Sequence, residues 1–491
     1  MTEQEPVRFD FNGMMDFNIG PRHGLTVAQL EKIAPQARNC QQHFQKLLTR
    51  FEDRVSLNLE WTQLPFQSEE HLRVVSSLGE KVRKRFENVV FLGIGGSYLG
   101  LKAAQEALCP PYWNEFHQVR EKRPRVYFEG NNLDPTTLKV ILANLNPEKT
   151  FVTVVSKSGE TLETRAALAV FLRWLQTKLG RRWQEHILVI TDPENGWLRK
   201  LVQESQQGNR GILSLPVLPG VGGRFSELNI GLFHLALIGI NPKEVLGGAQ
   251  VMAKRCLSAS LWKNPALFYA VSHFLLARKR KSIAVVMPFA EGLRSTADWY
   301  AQLLAESLGK KSRSKIVVGK DGAKQWQVEK GRLAPNGRTP VACRGTNDLH
   351  SLHQNNIEGR PDKVVTLIQV KKFPTEISVP QGTGLPLAQT YTKLLNLAAQ
   401  ATEWALIQAQ QPTCTITLPE LCPFYWGGLI YFWQMTTALE AQLLSINAFD
   451  QPGVESYKKY LKVKLTPESL CQADRDTVET KSVRRKRKFV L

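Results

Sequence analysis

The sequence predicts an α/β protein whose parallel sheets fall into two successive domains. Three observations carry that prediction. At 491 residues the chain is too long for one comfortable core, which points to two large domains or one double-sized unit. Its β-branched runs are almost continuously apolar rather than alternating, the pattern of strands buried on both faces. Each run ends in Gly, Ser or Asp before a helical stretch, the order expected of βαβ units.

In chain order, residues 24–56 read as helical, and from about Val82 the strand pattern begins. The first set is Val89–Leu92, Val126–Phe128, Phe151–Val155 and Ile187–Ile190. A helical region around Phe233–Leu261 follows, with a boundary near Asn241-Pro242, and then a second set, Ile283–Met287 and Val364–Ile368. Leu421–Leu439 carries no charge and approaches membrane-spanning length. Its Pro423, Gly427, Gly428, Gln434, Thr436 and Thr437 instead suit a buried loop and helix in a large core. Neither a solenoid repeat nor a low-complexity linker separates the halves, so they are expected to pack directly and leave a cleft.

Hydrophobic residues make up 43% and charged residues 22%, the mix of a soluble globular enzyme. The net charge of +20 favours an anionic partner, whether phosphorylated metabolite, nucleic acid or membrane surface, without choosing among them. Part of the excess sits in Arg484-Arg485-Lys486-Arg487-Lys488, read as a solvated tail. Seven scattered cysteines with no Cys-x-x-Cys pair suit a reducing cytosol. The start, Met1-Thr2-Glu3-Gln4-Glu5-Pro6, has no apolar core of the secretory kind. The expectation is a cytoplasmic protein without a membrane segment.

Two motifs carry chemistry. Gly93-Ile94-Gly95-Gly96-Ser97-Tyr98-Leu99-Gly100 follows an apolar strand and opens a helix, so its backbone N–H groups can receive phosphate or pyrophosphate. A dinucleotide fingerprint needs Gly where Tyr98 stands and an acid about 20 residues on, whereas Glu129 lies later. No cofactor is therefore expected, and the same glycines also suit a tight turn with no ligand. Ser156-Lys157-Ser158-Gly159-Glu160-Thr161 ends another buried strand and places three hydroxyls and one ammonium at a helix start. A phosphate monoester wants those groups, whereas plain N-capping needs only one Ser or Thr.

These two motifs together resemble the sugar-isomerase (SIS) domain. Four later segments make the chain similar to the phosphoglucose isomerase family: Val221-Gly222-Gly223-Arg224-Phe225-Ser226, Gln302 to Glu306 and on to Lys310, Gly345-Thr346-Asn347-Asp348-Leu349-His350, and Phe449-Asp450-Gln451 to Lys458. Their order and spacing match the family from about residue 88 to 460. Pro452 stands where many members carry Trp. The resemblance implies two αβα sandwich SIS domains with helical arms, assembled as a homodimer. It divides the chain into a helical arm 1–56, a first SIS domain 57–241, a second 242–470 and a basic tail 471–491. It further implies metal-free interconversion of glucose 6-phosphate and fructose 6-phosphate.

The resemblance also assigns roles. Gly96, Ser97, Ser156, Lys157, Ser158 and Thr161 would hold the phosphate. His350 and Lys458 would open the sugar ring, Glu306 would move the proton between C2 and C1 through a cis-enediolate, Arg224 would stabilise the developing negative charge, and Gln302 and Gln451 would position the substrate. Taken alone, Glu306 reads as an exposed i,i+4 partner of Lys310, His350 as a loop histidine, and Lys458 as part of a solvated helix face. His353 and Cys343 lie close together but lack zinc-ligand spacing, so no metal is expected. Alternatives left open are an isomerase of another phosphosugar such as mannose 6-phosphate, and a non-catalytic sugar-phosphate sensor. Nucleic-acid binding rests on charge alone.

Overall fold

A computed structural model describes residues 5–206, 211–320, 322–335, 337–382, 384, 389–466, 475 and 478. The basic run Arg484–Lys488 lies outside the described residues. Among them the strands are β1 (Arg8–Asp10), β2 (Asn88–Leu92), β3 (Arg125–Glu129), β4 (Thr150–Val155), β5 (Ile187–Thr191), β6 (Leu213–Pro216), β7 (Ile283–Phe289), β8 (Ser312–Val318), β9 (Lys324–Leu333), β10 (Thr339–Ala342), β11 (Lys363–Lys372), β12 (Ser378–Val379), β13 (Gln389–Thr390) and β14 (Thr413–Glu420).

Two five-stranded sheets organise the chain. The first has the order β3-β2-β4-β5-β6 and is parallel throughout. The second has the order β1-β14-β11-β7-β10; its strands are parallel except β1, which pairs antiparallel with β14. That edge strand lies within residues 1–56, read from sequence as a helical arm, and helices Val27–Leu47 and Phe51–Ser56 follow it. The chain also carries a long antiparallel hairpin, β8 with β9, which hydrogen-bonds to Asp53, Ser56 and Leu57 and to Ser445.

Successive side chains of a strand face opposite ways, and in both sheets each face is apolar. In the first sheet Val89, Phe91, Phe151 and Leu188 enter the large central core. Their neighbours Val90, Leu92, Val152 and Val189 pack on the other face with Phe171 and Leu175 of the Leu162–Leu179 helix. In the second sheet Ala284, Val286 and Val364 join the same central core. Val285, Met287 and Val365 face outward onto Ala399 and Leu406 of the Tyr391–Gln408 helix. Each sheet is thus the middle layer of an αβα sandwich, and the two sandwiches share one core.

The uncharged stretch near Leu421–Leu439 becomes the Pro423–Leu444 helix, apolar around its circumference and buried in that core. Arg338 and Glu440 pair there through contacts of 2.8 and 2.5 Å, both almost wholly buried. Among the described residues no helix is long and apolar enough to cross a membrane.

Candidate active site

Strand order fixes where a ligand can sit. From β2 the chain passes to β3 on one side and then to β4 on the other, so the winding reverses between β2 and β4. Loops leaving the carboxyl ends of such a pair splay apart and open a crevice. Gly93–Gly100 leaves β2 and Ser156–Thr161 leaves β4, with Leu92 paired to Val154 in the register. The two motifs read as phosphate loops therefore stand side by side at one edge of the first sheet.

Each loop is shaped by its own residues. Gly95 has a φ of +57°, and a Cβ on Gly96 would stand 2.3 Å from the carbonyl oxygen of Gly223, so the turn before the Leu99–Leu108 helix accepts only glycine there. In the second loop Ser156 Oγ accepts from Gly159 N at 3.1 Å and Ser158 Oγ accepts from Glu160 N at 3.2 Å. Both hydroxyl hydrogens remain available to donate outward. Thr161 begins the Leu162–Leu179 helix without capping it by its side chain. Lys157 Nζ donates to Val221 O at 3.2 Å, which brings the Val221–Arg224 turn over both loops.

From that turn Arg224 reaches the other half of the molecule. Its guanidinium is 4% exposed and donates Nε to Ser307 Oγ at 2.9 Å, and Nη1 to Glu306 Oε2 at 3.0 Å and to Gln451 Oε1 at 3.2 Å. Its Nη2 donates to the carbonyls of Ala448 at 2.5 Å and Asp450 at 2.7 Å. Glu306 Oε1 accepts from Gln302 Nε2 at 2.9 Å, four residues earlier on the Arg294–Leu308 helix. Gln302 in turn abuts the first loop, since a Cβ on Gly95 would lie 2.8 Å from its Nε2. Gln302 Oε1 is buried and without a hydrogen-bond partner among the described residues.

The structure thus gathers Gly96, Ser97, Ser156, Lys157, Arg224, Gln302, Glu306 and Gln451 around one crevice. The expected i,i+4 pairing of Glu306 with Lys310 takes another form: the carboxylate engages Arg224 and Gln302, while the buried Lys310 reaches the backbone carbonyl of Glu306. Burial pushes the Lys310 ammonium down to about 8. His350 is not joined to this group. It ends a short turn whose Asp348 accepts from Arg344 N, Asn347 and Ser351, and its own side chain is exposed.

Lys458 also contacts neither Glu306 nor Arg224; its Nζ pairs with Glu455 at 2.8 Å on the Glu455–Leu465 helix. That helix nevertheless borders the second loop, because Tyr457 Oη donates to Glu163 at 3.0 Å and Lys462 lies 3.8 Å from Glu160. Ser307 was missed in the sequence. Its adjacency to Glu306 is the signal that could have marked it, since helix neighbours flank the same end of the crevice.

Two αβα sandwiches with paired phosphate-type loops at a switch point define a double sugar-isomerase fold. A profile of phosphoglucose isomerase matches residues 69–354, and the chain belongs to that family. It is 38% identical over 408 residues to a glucose-6-phosphate isomerase of Carboxydothermus hydrogenoformans, covering 82% of this chain and 83% of that one. It is 34% identical over 463 residues to another from Rubrobacter xylanophilus, covering 92% and 96%. Among solved structures it superposes on a hypothetical protein of Thermus thermophilus with a TM-score of 0.76 at 30% identity, covering 94% of this chain and all of that one.

Proposed function

We propose that this chain interconverts glucose 6-phosphate and fructose 6-phosphate, with Glu306 as the base that carries the proton between C2 and C1. Family membership supports the activity, and one observation supports the residue. Glu306 is held between Arg224 and Gln302 at the mouth of a phosphate-type crevice, with its side chain 32% exposed. A carboxylate so placed can reach substrate while its second oxygen stays oriented.

The isomerisation is redox-neutral: a proton leaves C2, electrons pass through an enediolate, and a proton returns to C1. Hydroxyls of Ser97, Ser156, Ser158 and Thr161, the Gly96 backbone and the Lys157 ammonium would receive the phosphate. Arg224, already desolvated, would stabilise the negative charge on the enediolate oxygens, where a low-dielectric site makes a fixed cation most effective. Gln302 and Gln451 would orient sugar hydroxyls. His350 and Lys458 complete the reading as the ring-opening pair. A homodimer in the cytoplasm is the accompanying proposal.

The test is turnover of fructose 6-phosphate by purified protein in excess chelator, with mannose 6-phosphate in parallel. Chelator-resistant formation of glucose 6-phosphate, with mannose 6-phosphate poorly used, is the expected result. Phosphosugar binding without turnover would replace this reading with that of a sensor.

A further inference from the structure

Two cations converge on the same pair of backbone carbonyls. Asp450 O accepts from Arg224 Nη2 at 2.7 Å and from Lys310 Nζ at 2.7 Å. Glu306 O accepts from Arg224 Nη2 at 3.4 Å and also from Lys310 Nζ. Lys310 adds an ion pair with Asp450 Oδ1 at 3.4 Å, and its side chain is 5% exposed. The last turn of the Arg294–Leu308 helix, which carries Glu306, is thereby fastened to the segment that carries Gln451.

We infer that Lys310 is a positioning residue for the isomerisation: it clamps the Asp450–Gln451 segment to the end of the Glu306 helix, so that Arg224, Glu306 and Gln451 meet in one geometry. This inference rests on the isomerase reading above. The two cations come from different elements: Arg224 approaches Asp450 and Glu306 from the Gly223–Phe225 turn, while Lys310 comes from just beyond the helix end. Without the ammonium, Arg224 is the one cation left among the described residues to hold the Asp450–Gln451 segment to the helix end, and Gln451 loses its fixed distance to Glu306. Misplacement of about 1 Å in such a site can cost on the order of 10²-fold in rate.

The clamp is also ionisable. Groups facing the ammonium are Arg224 on the Gly223–Phe225 turn, Asp450 on the segment after the Pro423–Leu444 helix, and Glu306 on its own side. Burial and Arg224 outweigh the two carboxylates and bring its proton loss down to about 8. A neutral amine keeps two N–H donors but loses the third donor and the charge, so it no longer holds two carbonyls and a carboxylate together. Wild-type kcat should then fall on the alkaline side near that value.

The experiment measures kcat, KM and Tm across pH for the wild type, Lys310→Met and Lys310→Arg with fructose 6-phosphate. Lys310→Met is expected to lose on the order of 10²-fold in kcat with a smaller change in KM, since the phosphate loops are untouched. Lys310→Arg retains a cation that does not titrate, so it should restore much of the activity at neutral pH and move the alkaline limb upward. Should Lys310→Met fail to fold, the limb in Lys310→Arg alone decides. A limb at the same pH as in wild type, or a well-folded Lys310→Met with wild-type kcat, overturns the inference while leaving the isomerase reading standing. An inactive wild type overturns both.

Discussion

Arg224 Nη1 lies 3.0 Å from Glu306 Oε2, yet the two partners are held unequally. The guanidinium is 4% exposed and anchored by Ser307, Gln451 and the carbonyls of Ala448 and Asp450, whereas the carboxylate is 32% exposed. The cation is therefore part of the framework, and the carboxylate is the member free to exchange this contact for a substrate proton. An ordinary surface ion pair is worth about 0–1 kcal/mol. Here one partner's desolvation is already met by backbone oxygens, so the pair orients Glu306 without needing to stabilise the fold.

Glu306→Gln tests the assigned base. The amide preserves shape and can still bridge Gln302 and Arg224, but it cannot take a proton. Turnover of fructose 6-phosphate should fall by about 10²–10⁴-fold, the range of general acid–base contributions, with KM and Tm near wild type. Retention of more than about a tenth of the wild-type kcat would remove Glu306 from that role.

Gly96→Ala tests the crevice. The added methyl would meet Gly223 O at 2.3 Å and Arg224 N at 2.7 Å, and both neighbours are backbone atoms that cannot swing aside. The Val221–Arg224 turn must lift away, moving Arg224 from Glu306. Activity should fall by roughly 10²-fold, accompanied by a Tm drop of several degrees, a size consistent with overpacking costs of about 1–3 kcal/mol. Full activity in a stable Gly96→Ala protein would show that the turn does not depend on this contact.

Which parts of this arrangement were legible in the sequence follows from local physics. β2, β4 and β5 announced themselves because both their faces are apolar. β14, Thr413–Glu420, alternates Thr with apolar residues although its first six residues are all buried, so polarity hid it. The four-residue β6 and the mostly exposed β8–β9 hairpin gave too little pattern to read. The glycine and serine loops were readable because backbone geometry dictates residue type there. The partners of Arg224 and Lys310 were not, since three of them are backbone carbonyls, which any residue supplies.

His350 and Lys458 provide the sharpest check on roles that rest on resemblance. His350 is exposed, and the Lys458 side chain is 42% exposed and pairs with Glu455 at 2.8 Å. Exposed substitutions of this kind shift stability by within about 0.5 kcal/mol. Alanine at either position should therefore leave Tm unchanged while kcat falls by about 10²-fold or more, as loss of an acid or base requires. If both variants turn over fructose 6-phosphate like wild type, ring opening must be assigned to other groups.

Glu227 makes a prediction about stability rather than turnover. It begins the Glu227–Leu237 helix just after Arg224, is fully enclosed, and accepts from Trp299 Nε1 at 2.6 Å and Gln434 Nε2 at 2.8 Å. Burial outweighs those donors and raises its carboxyl from 4.5 to about 7. Between these values the native state binds the proton that the unfolded chain has lost, so unfolding free energy falls as pH rises through that window and stays low above it. At about 1.4 kcal/mol per unit the difference is about 3 kcal/mol. Glu227→Gln is neutral throughout, and Gln434 Oε1, buried without a partner among the described residues, can accept from the new amide after a side-chain flip. Urea unfolding at about pH 5 and about pH 8 should show wild type losing stability over the interval and Glu227→Gln losing markedly less. Equal losses in the two proteins would mean that the buried carboxyl keeps its ordinary proton affinity, and that the pH response originates elsewhere.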